Sequence, residues 1–353
     1  MKIKDLFHRL SNWETWHHHV KYIPLAPVWA WYCIRSGTPW FFTASNPTLT
    51  FGGFEGEGKQ EMYEQLPPGT YPHSIYIKPG IEMQQLKEQI AAAGFSYPFI
   101  AKPDVGMMGF MVRRIQNDEQ LAAYHGAMPD QYIIQTLVEY PVEVAAFYYR
   151  MPNEKKGTLS GLLQKQPAFV VGDGISTLED LINANEQVRH KVDDILGRHK
   201  AQLKKVISKG EVFPLSVSSN RSQAGIVQGV DHLITEELNN RLDEWSHYSG
   251  KLYYGRYDIK CASVASLQQG KDFYILEFNG AGAGIQHITG NNYSLFTAWK
   301  IILKHWKMLY LISRENAHNG VAYWGVRDGA AHLKKAKRNL QFLKSLDASF
   351  PSF

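Results

Sequence analysis

The sequence predicts a mixed α/β (α+β) protein of more than one domain, and three observations carry that prediction. Short apolar runs alternate with amphipathic stretches along most of the chain, the pattern of strands interleaved with helices. The links are short and marked by turn formers, as at Pro67-Pro68-Gly69 and Gly172-Asp173-Gly174. At 353 residues the chain is long enough for two or three cores.

Taken in order, residues 1 to about 50 hold Trp13, Trp16, Trp29, Trp31, Trp40, Phe41 and Phe42, and Pro24, Pro27 and Pro39 cut this stretch into short pieces. Positions 39–44 read as a buried strand, followed by the loop Ser45-Asn46-Pro47 and a glycine-rich run over 52–58. Helices are expected at 59–65 and 81–93, the first stopped by Pro67-Pro68-Gly69. Strands are expected at 97–102, 109–115, 131–135, 142–150, 159–171, 252–260 and 272–279. Further helices are expected at 117–126, 177–205, 235–248 and 294–315, with Ser176 and Glu179 spaced as a capping box. The tail, about 330–346, reads as a basic amphipathic helix: Leu333, Leu340, Leu343 and Leu346 line one side, and Lys334, Lys335, Lys337 and Arg338 the other.

Composition narrows the function. The formal charge of +5 suits anionic small molecules such as nucleotides and is too sparse for a nucleic-acid face. Cys33 and Cys261 cannot staple a chain of this length, so reduced thiols are expected. Met1 to Leu6 lacks the apolar core of a signal peptide, and 22–34 is too short and too rich in proline to span a bilayer. A cytoplasmic protein is expected. The aromatic N-terminal segment and the basic tail carry a rival reading, peripheral contact with a membrane and action on envelope or lipid-linked substrates.

The chemistry concentrates in two segments, Gly255-Arg256-Tyr257-Asp258 and Leu276-Glu277-Phe278-Asn279-Gly280. In a strand, residues two apart share a face, so Arg256 points with Asp258, and Glu277 with Asn279. If the strands pair across the short link near Gly270, a cation, two carboxylates and an amide converge. Mg²⁺ prefers oxygen ligands of this kind, completed by phosphate and water.

These segments, with the Gly-Ala-Gly-Ala-Gly that follows, resemble the metal motif of the D-alanine–D-alanine ligases, members of the ATP-grasp superfamily. Here the two elements are spaced more widely, which implies a longer hairpin over 261–271. The resemblance implies that Asp258, Glu277 and Asn279 hold one or two Mg²⁺ ions, with Mn²⁺ as a substitute, and that Arg256 contacts an acyl-phosphate. Upstream, Tyr97 to Gly109 is similar to the family's strand ending in Lys-Pro and its glycine loop, so Lys102 would contact the ATP phosphates under Gly106 and Gly109. The run 132–138 resembles the adenine-binding hinge, giving Gln135, Leu137 and Val138, with Glu143 on the ribose and Glu139 as its competitor. Lys59 and Lys165 match further phosphate-contacting lysines, and 170–182 resembles a stretch of the cyanophycin synthetases' ATP-grasp module.

The resemblance covers about 55 to 290 and implies an ATP-grasp fold, two α+β subdomains sandwiching ATP behind a short divergent N-terminal domain. The expected division is 1–70, a small subdomain 71–140, a large subdomain 141–315, and a basic helix 316–353. It implies a ligase joining a small-molecule carboxylate to an amine through an acyl-phosphate; a non-catalytic nucleotide-binding protein of the same fold is the alternative. Arg150, Arg198 and Arg221 are candidates for a substrate carboxylate, since guanidinium forks match it. Backbone N–H groups at 280–284 are candidates for an oxyanion, and His17, His18 and His19 for a second metal.

Overall fold

A computed structural model of the chain describes residues 12–16, 18–216 and 225–351. Strands β1 (Ser74–Ile77), β2 (Phe99–Pro103), β3 (Arg113–Ile115) and β4 (Tyr132–Thr136) form one sheet in the order β1-β4-β2-β3, every neighbour antiparallel. The chain continues through β5 (Val142–Tyr149), β6 (Thr158–Gln166), a ribbon of β7 (Phe169–Val171) with β8 (Val212–Pro214), then β9 (Ile226–Gly229), β10 (Tyr254–Cys261) and β11 (Phe273–Asn279). The second sheet has the order β11-β10-β5-β6-β9, again antiparallel throughout. The protein is thus mixed α/β with antiparallel sheets.

The helices are α1 (His18–Tyr22), α2 (Ala26–Ser36), α3 (Lys59–Tyr63), α4 (Met83–Ala92), α5 (Asp118–Ala127), α6 (Leu178–Ala184), α7 (Val192–Arg198), α8 (Glu236–Tyr248), α9 (Val264–Gln268), α10 (Leu295–His318) and α11 (Val326–Ser349). Leu86 and Ile90 of α4 and Leu121 and Tyr124 of α5 cover the small sheet, and Leu343 of α11 closes that core. One face of the large sheet buries Val144, Tyr148, Tyr257 and Ile259 under Leu238, Leu242 and Trp245 of α8. Its other face buries Phe147, Tyr149 and Tyr254 under the aromatics of the N-terminal segment and Ile302, Leu309 and Ile312 of α10. Each such side chain contributes roughly 1.5–3 kcal/mol by leaving water.

Several expectations are corrected. Positions 39–44 are not a strand: Phe41–Ala44 is a turn of 3-10 helix, all four residues buried. Trp324 N donates to Thr43 Oγ1 and Asn316 Nδ2 to the Ala44 carbonyl, which replaces the ladder a strand would need. Pro27 does not break its surroundings, because it occupies the first turn of α2, where its missing N–H costs nothing. The strand expected over 159–171 ends at Gln166, before Pro167, and the helix over 177–205 divides into α6, a 3-10 stretch Glu186–Lys191, and α7. Thr177 caps α6, with Asp180 closing the box, so the predicted Ser176–Glu179 box lies one residue too early. The strand over 109–115 shrinks to β3, because Met107 to Val112 make turns in which Met108, Gly109 and Met111 take positive φ. Strands β1, β8 and β9 had no expectation; they are three or four residues long, too short for an alternation to register.

Candidate active site

On β10 and β11, Arg256 lies opposite Asn279 and Asp258 opposite Glu277. Tyr257, Ile259 and Phe278 enter the core on the other face. The link between the strands is the longer hairpin expected from the sequence, and it carries α9. The β10 half of the polar face is not solvated, with Arg256 8% and Asp258 7% exposed, while Glu277 and Asn279 on β11 are half-buried. Buried charges need partners, and these have them. Arg256 donates from Nε to Asp258 Oδ1 at 3.1 Å, from Nη2 to Oδ2 at 2.8 Å, and from Nη1 to the Gly284 carbonyl at 3.1 Å. Lys165 on β6 adds Nζ to Oδ1 at 2.8 Å, and Asn279 adds Nδ2 to Oδ2 at 3.1 Å. Glu143, paired with Lys165 across β5 and β6, stands 3.6 Å from the same ammonium.

Burial alone would raise the Asp258 carboxyl; the Arg256 guanidinium and the Lys165 ammonium outweigh it and hold the carboxyl well below its ordinary value. The same contest at Glu277, burial against the ammonium of Lys59 3.2 Å away, also ends in a lowered value. Both stay ionised at neutral pH.

Lys59 opens α3 and donates to the Gly106 carbonyl at 3.0 Å, which ties the helix to the glycine loop. Lys102, near the end of β2, donates to Gln135 Oε1 at 2.8 Å and Tyr63 Oη at 3.2 Å. Burial first, then the neighbouring Lys59, pushes its pKa down to about 7. Gln135 is held by Tyr63 and Ser74 through its Nε2, so its side chain supports Lys102.

Two cavities meet at this cluster. One, of about 540 Å³, is walled by Lys59, Lys102, Gly106, Gly109, Gln135 and Leu137, and further by Val138, Glu143 and Lys165. The other, of about 430 Å³, is walled by Arg256, Asn279 and the loop 282–284, and both cavities include Lys59, Lys165, Asp258 and Glu277. The structure therefore brings Lys59, Lys102, Gly106, Gly109, Gln135, Leu137, Val138, Glu143, Lys165, Arg256, Asp258, Glu277 and Asn279 to one cleft. Glu143 lies on its wall, while Glu139 is exposed and off it.

The arginine candidates fare differently. Arg150 is buried away from both cavities, over the Tyr253 ring at 4.7 Å and bonded to the Glu154 carbonyl. Arg198 is exposed on α7, its Nε against the Asp194 carbonyl, and lines neither cavity. Arg221 and His17 lie outside the described residues, as do the side chains of His18 and His19. The oxyanion donors expected over 280–284 are largely engaged: Ala281 N donates to the Gly52 carbonyl, Gly282 N to that of Gly53, and Ala283 N to that of Gly280. The two glycine runs pack backbone on backbone, and a Cβ at Gly282 would fall 1.9 Å from the Phe54 carbonyl oxygen. That contact leaves no room for a side chain at Gly282.

Sequence reasoning missed several wall residues. Lys260 sits across β5/β10 from Glu143 and donates to the Val138 carbonyl at 3.1 Å. Glu57, in the first glycine run, lines the smaller cavity with its Oε2 unpartnered, and burial pushes its pKa up to about 7. Ala336, Asn339, Leu340 and Leu343 of α11 close one side of that cavity. Period-two alternation marks Lys260, which shares a face with Asp258; Glu57 and α11 carry no local signal, since their placement depends on long-range packing.

Among the described residues no group of three His, Cys, Asp or Glu is poised for a metal. Asp258 and Glu277, in register and flanked by the Asn279 amide, form a sparse oxygen set. That set fits Mg²⁺, which takes one or two carboxylates and draws its other ligands from phosphate and water.

No protein-family model matches the chain, and no curated protein matches it in sequence. Among solved structures it is similar to ATP-grasp ligases. A bifunctional glutathione synthetase from Pasteurella multocida matches with a TM-score of 0.42 and 15% identity over 71% of this chain. A D-alanine–D-alanine ligase from Bacillus anthracis matches with a TM-score of 0.38 and 14% identity, covering 74% of this chain and 67% of its own. A D-cycloserine synthetase gives 0.40 and 12%, covering 70% of each. The chain spans 35% of the glutathione synthetase.

Proposed function

We propose that the cleft binds ATP with Mg²⁺ and that the protein is an ADP-forming carboxylate–amine ligase working through an acyl-phosphate. The observation that carries this reading is the convergence of Lys59, Lys102, Lys165, Lys260 and Arg256 with Glu143, Asp258 and Glu277 on one cleft. On the larger cavity four lysines, Lys59, Lys102, Lys165 and Lys260, face three carboxylates, Glu143, Asp258 and Glu277, a balance that suits a polyphosphate, and the carboxylates stand where a divalent ion would meet it. In this reading the chain divides at 1–70, 71–140, 141–315 and 316–353, and the cleft lies between the small and large subdomains with Lys59 of the first segment and Leu343 of the last on its walls.

In this reading Lys59, Lys102 and Lys165 bind and orient the phosphates while the Met107–Met108 loop between Gly106 and Gly109 covers them and excludes water. Glu143 accepts from the ribose, and backbone groups at Leu137 and Val138 read the purine. Asp258, Glu277 and Asn279 would hold Mg²⁺, which when bound neutralises charge on the transferring phosphoryl group. The bond from the γ-phosphorus to ADP breaks as one to the carboxylate oxygen forms. The amine nitrogen then bonds to the acyl carbon, the C–O bond to phosphate breaks, and the nitrogen gives up a proton. Arg256, already oriented by Asp258, stabilises the anionic oxygen. The amine and acid occupy the smaller cavity, beside Glu57.

The test is a screen of ADP and phosphate release with pairs of amino acids and small carboxylates. Stoichiometric ADP and phosphate that require both partners, and that Glu277→Gln abolishes, support the ligase. A second reading draws on one observation: both Asp258 oxygens already accept from Arg256, Lys165 or Asn279. Saturable ATP binding with no ADP release from any pair would establish a non-catalytic nucleotide-binding protein instead.

A further inference from the structure

Far from the cleft, helix α2 (sequence APVWAWYCIRS) buries none of its residues despite its apolar composition. Its inner side lies on α10: the Trp29 ring meets Trp306 at 5.0 Å, and Tyr32 stacks on Tyr310 at 4.5 Å. Its outer side presents Pro27, Ala30, Trp31 and Ile34, a stripe at helical spacing that faces solvent. Trp31 is 55%, Ile34 72% and Ile23 66% exposed. Phe296, 72% exposed at the start of α10, extends the patch through its edge contact with Trp299, whose Nε1 donates to the Lys21 carbonyl.

Charge is segregated around this patch. No aspartate or glutamate occurs between Glu14 and Glu55, nor between Glu277 and Glu315, the two stretches that build it. Those stretches carry Lys21, Arg35, Lys300, Lys304, Lys307 and Arg314. Lys300, Lys304, Lys307 and Arg314 recur at one helical spacing and are all exposed, and the Arg35 guanidinium lies over the Trp31 ring at 5.9 Å. Glu14 marks the near edge, its carboxylate accepting from Gly290 N.

We propose that this face docks the protein on an anionic lipid bilayer. Exposed tryptophan and isoleucine enter the headgroup boundary, while the exposed Lys300, Lys304, Lys307 and Arg314 side chains meet the lipid phosphates. A second copy of this face would set like charges against each other, and an acidic protein partner, which the same bases would suit, is the alternative that the vesicle experiment decides against. Among the described residues no helix is long and apolar enough to cross a membrane, so contact is at the surface. The proposal is independent of the ligase reading.

The experiment is co-sedimentation of the full chain with vesicles of phosphatidylcholine alone, and of phosphatidylcholine mixed with an equal amount of phosphatidylglycerol. Binding to the mixed vesicles that weakens with salt is expected. The triple variant Lys300→Glu, Lys304→Glu, Lys307→Glu should weaken it at least about tenfold, from roughly 1 kcal/mol per charge near the surface, and Trp31→Glu should also weaken it. Circular dichroism melts should match wild type, since all four positions are exposed. Reversal of Lys334, Lys335 and Lys337 on α11 should leave binding unchanged. The proposal is overturned if the mixed vesicles do not bind, if the α11 variant weakens binding as much, or if Trp31→Glu instead dissolves a vesicle-free dimer.

Discussion

Lys102 concentrates the residue-scale physics of the cleft. Its ammonium is buried beside Gln135 and Tyr63, and its pKa falls to about 7. In the unfolded chain it titrates near 10.4, so between about 7 and 10 the unfolded state binds more protons than the folded one. Ligand-free stability should therefore rise with pH across that window, and thermal melts that fall there would contradict the assignment. A bound triphosphate restores the charge, so ATP binding near pH 8 should take up close to one proton. Calorimetry in two buffers of different ionisation enthalpy reads that number directly. Asp258 carries the opposite lesson. Because Arg256 and Lys165 are buried against it, Asp258→Asn removes their counter-charge and should cost about 3 kcal/mol in a urea titration, so Glu277→Gln is the cleaner probe of metal-dependent turnover. This balance was only half legible beforehand: period two put Arg256 and Asp258 on one face, but which lysine would meet the carboxylate depended on β6 lying beside β5.

At the scale of elements, the hairpin of β10 and β11 and the strand-loop after Lys102 were readable because each packs local signals closely: alternation, a glycine turn, a lysine before a proline. The N-terminal segment was not. Its aromatic run suited a strand, yet Phe41–Ala44 turn as 3-10 helix because neighbours on α10 and near Trp324 supply the polar partners. Asn46 is the pivot there: Nδ2 donates to the carbonyls of Gly52 and Tyr254, and Oδ1 accepts from the N–H groups of Tyr253 and Tyr254. Asn46→Ala should destabilise the fold by about 2–4 kcal/mol, since buried backbone groups lose their partners; an unchanged urea midpoint would show the loop held by other means. On α11, Asp347 accepts from Met111 N at 2.8 Å and Arg113 Nη1 at 2.9 Å, which anchors the tail to the glycine loop. Asp347→Ala should raise protease sensitivity within 105–112 and weaken ATP binding severalfold, while equal cleavage rates in the two proteins would deny the coupling.

Across the whole molecule, two antiparallel sheets meet at a cleft whose walls come from segments as far apart in sequence as Lys59 and Leu343. The resemblance of scattered motifs named the order of those segments. It did not foresee that the tail would close the smaller cavity, or that the loop 281–283 would bind glycines rather than a substrate oxygen, because both depend on backbone packing across the entire chain. The central claim is that this cleft takes a triphosphate on Lys102, and calorimetric titration with ATP and Mg²⁺ tests it most directly. Saturable binding is predicted, weakened at least tenfold, about 1.4 kcal/mol, by Lys102→Met. No ATP binding, or equal affinity in the folded variant, would contradict it.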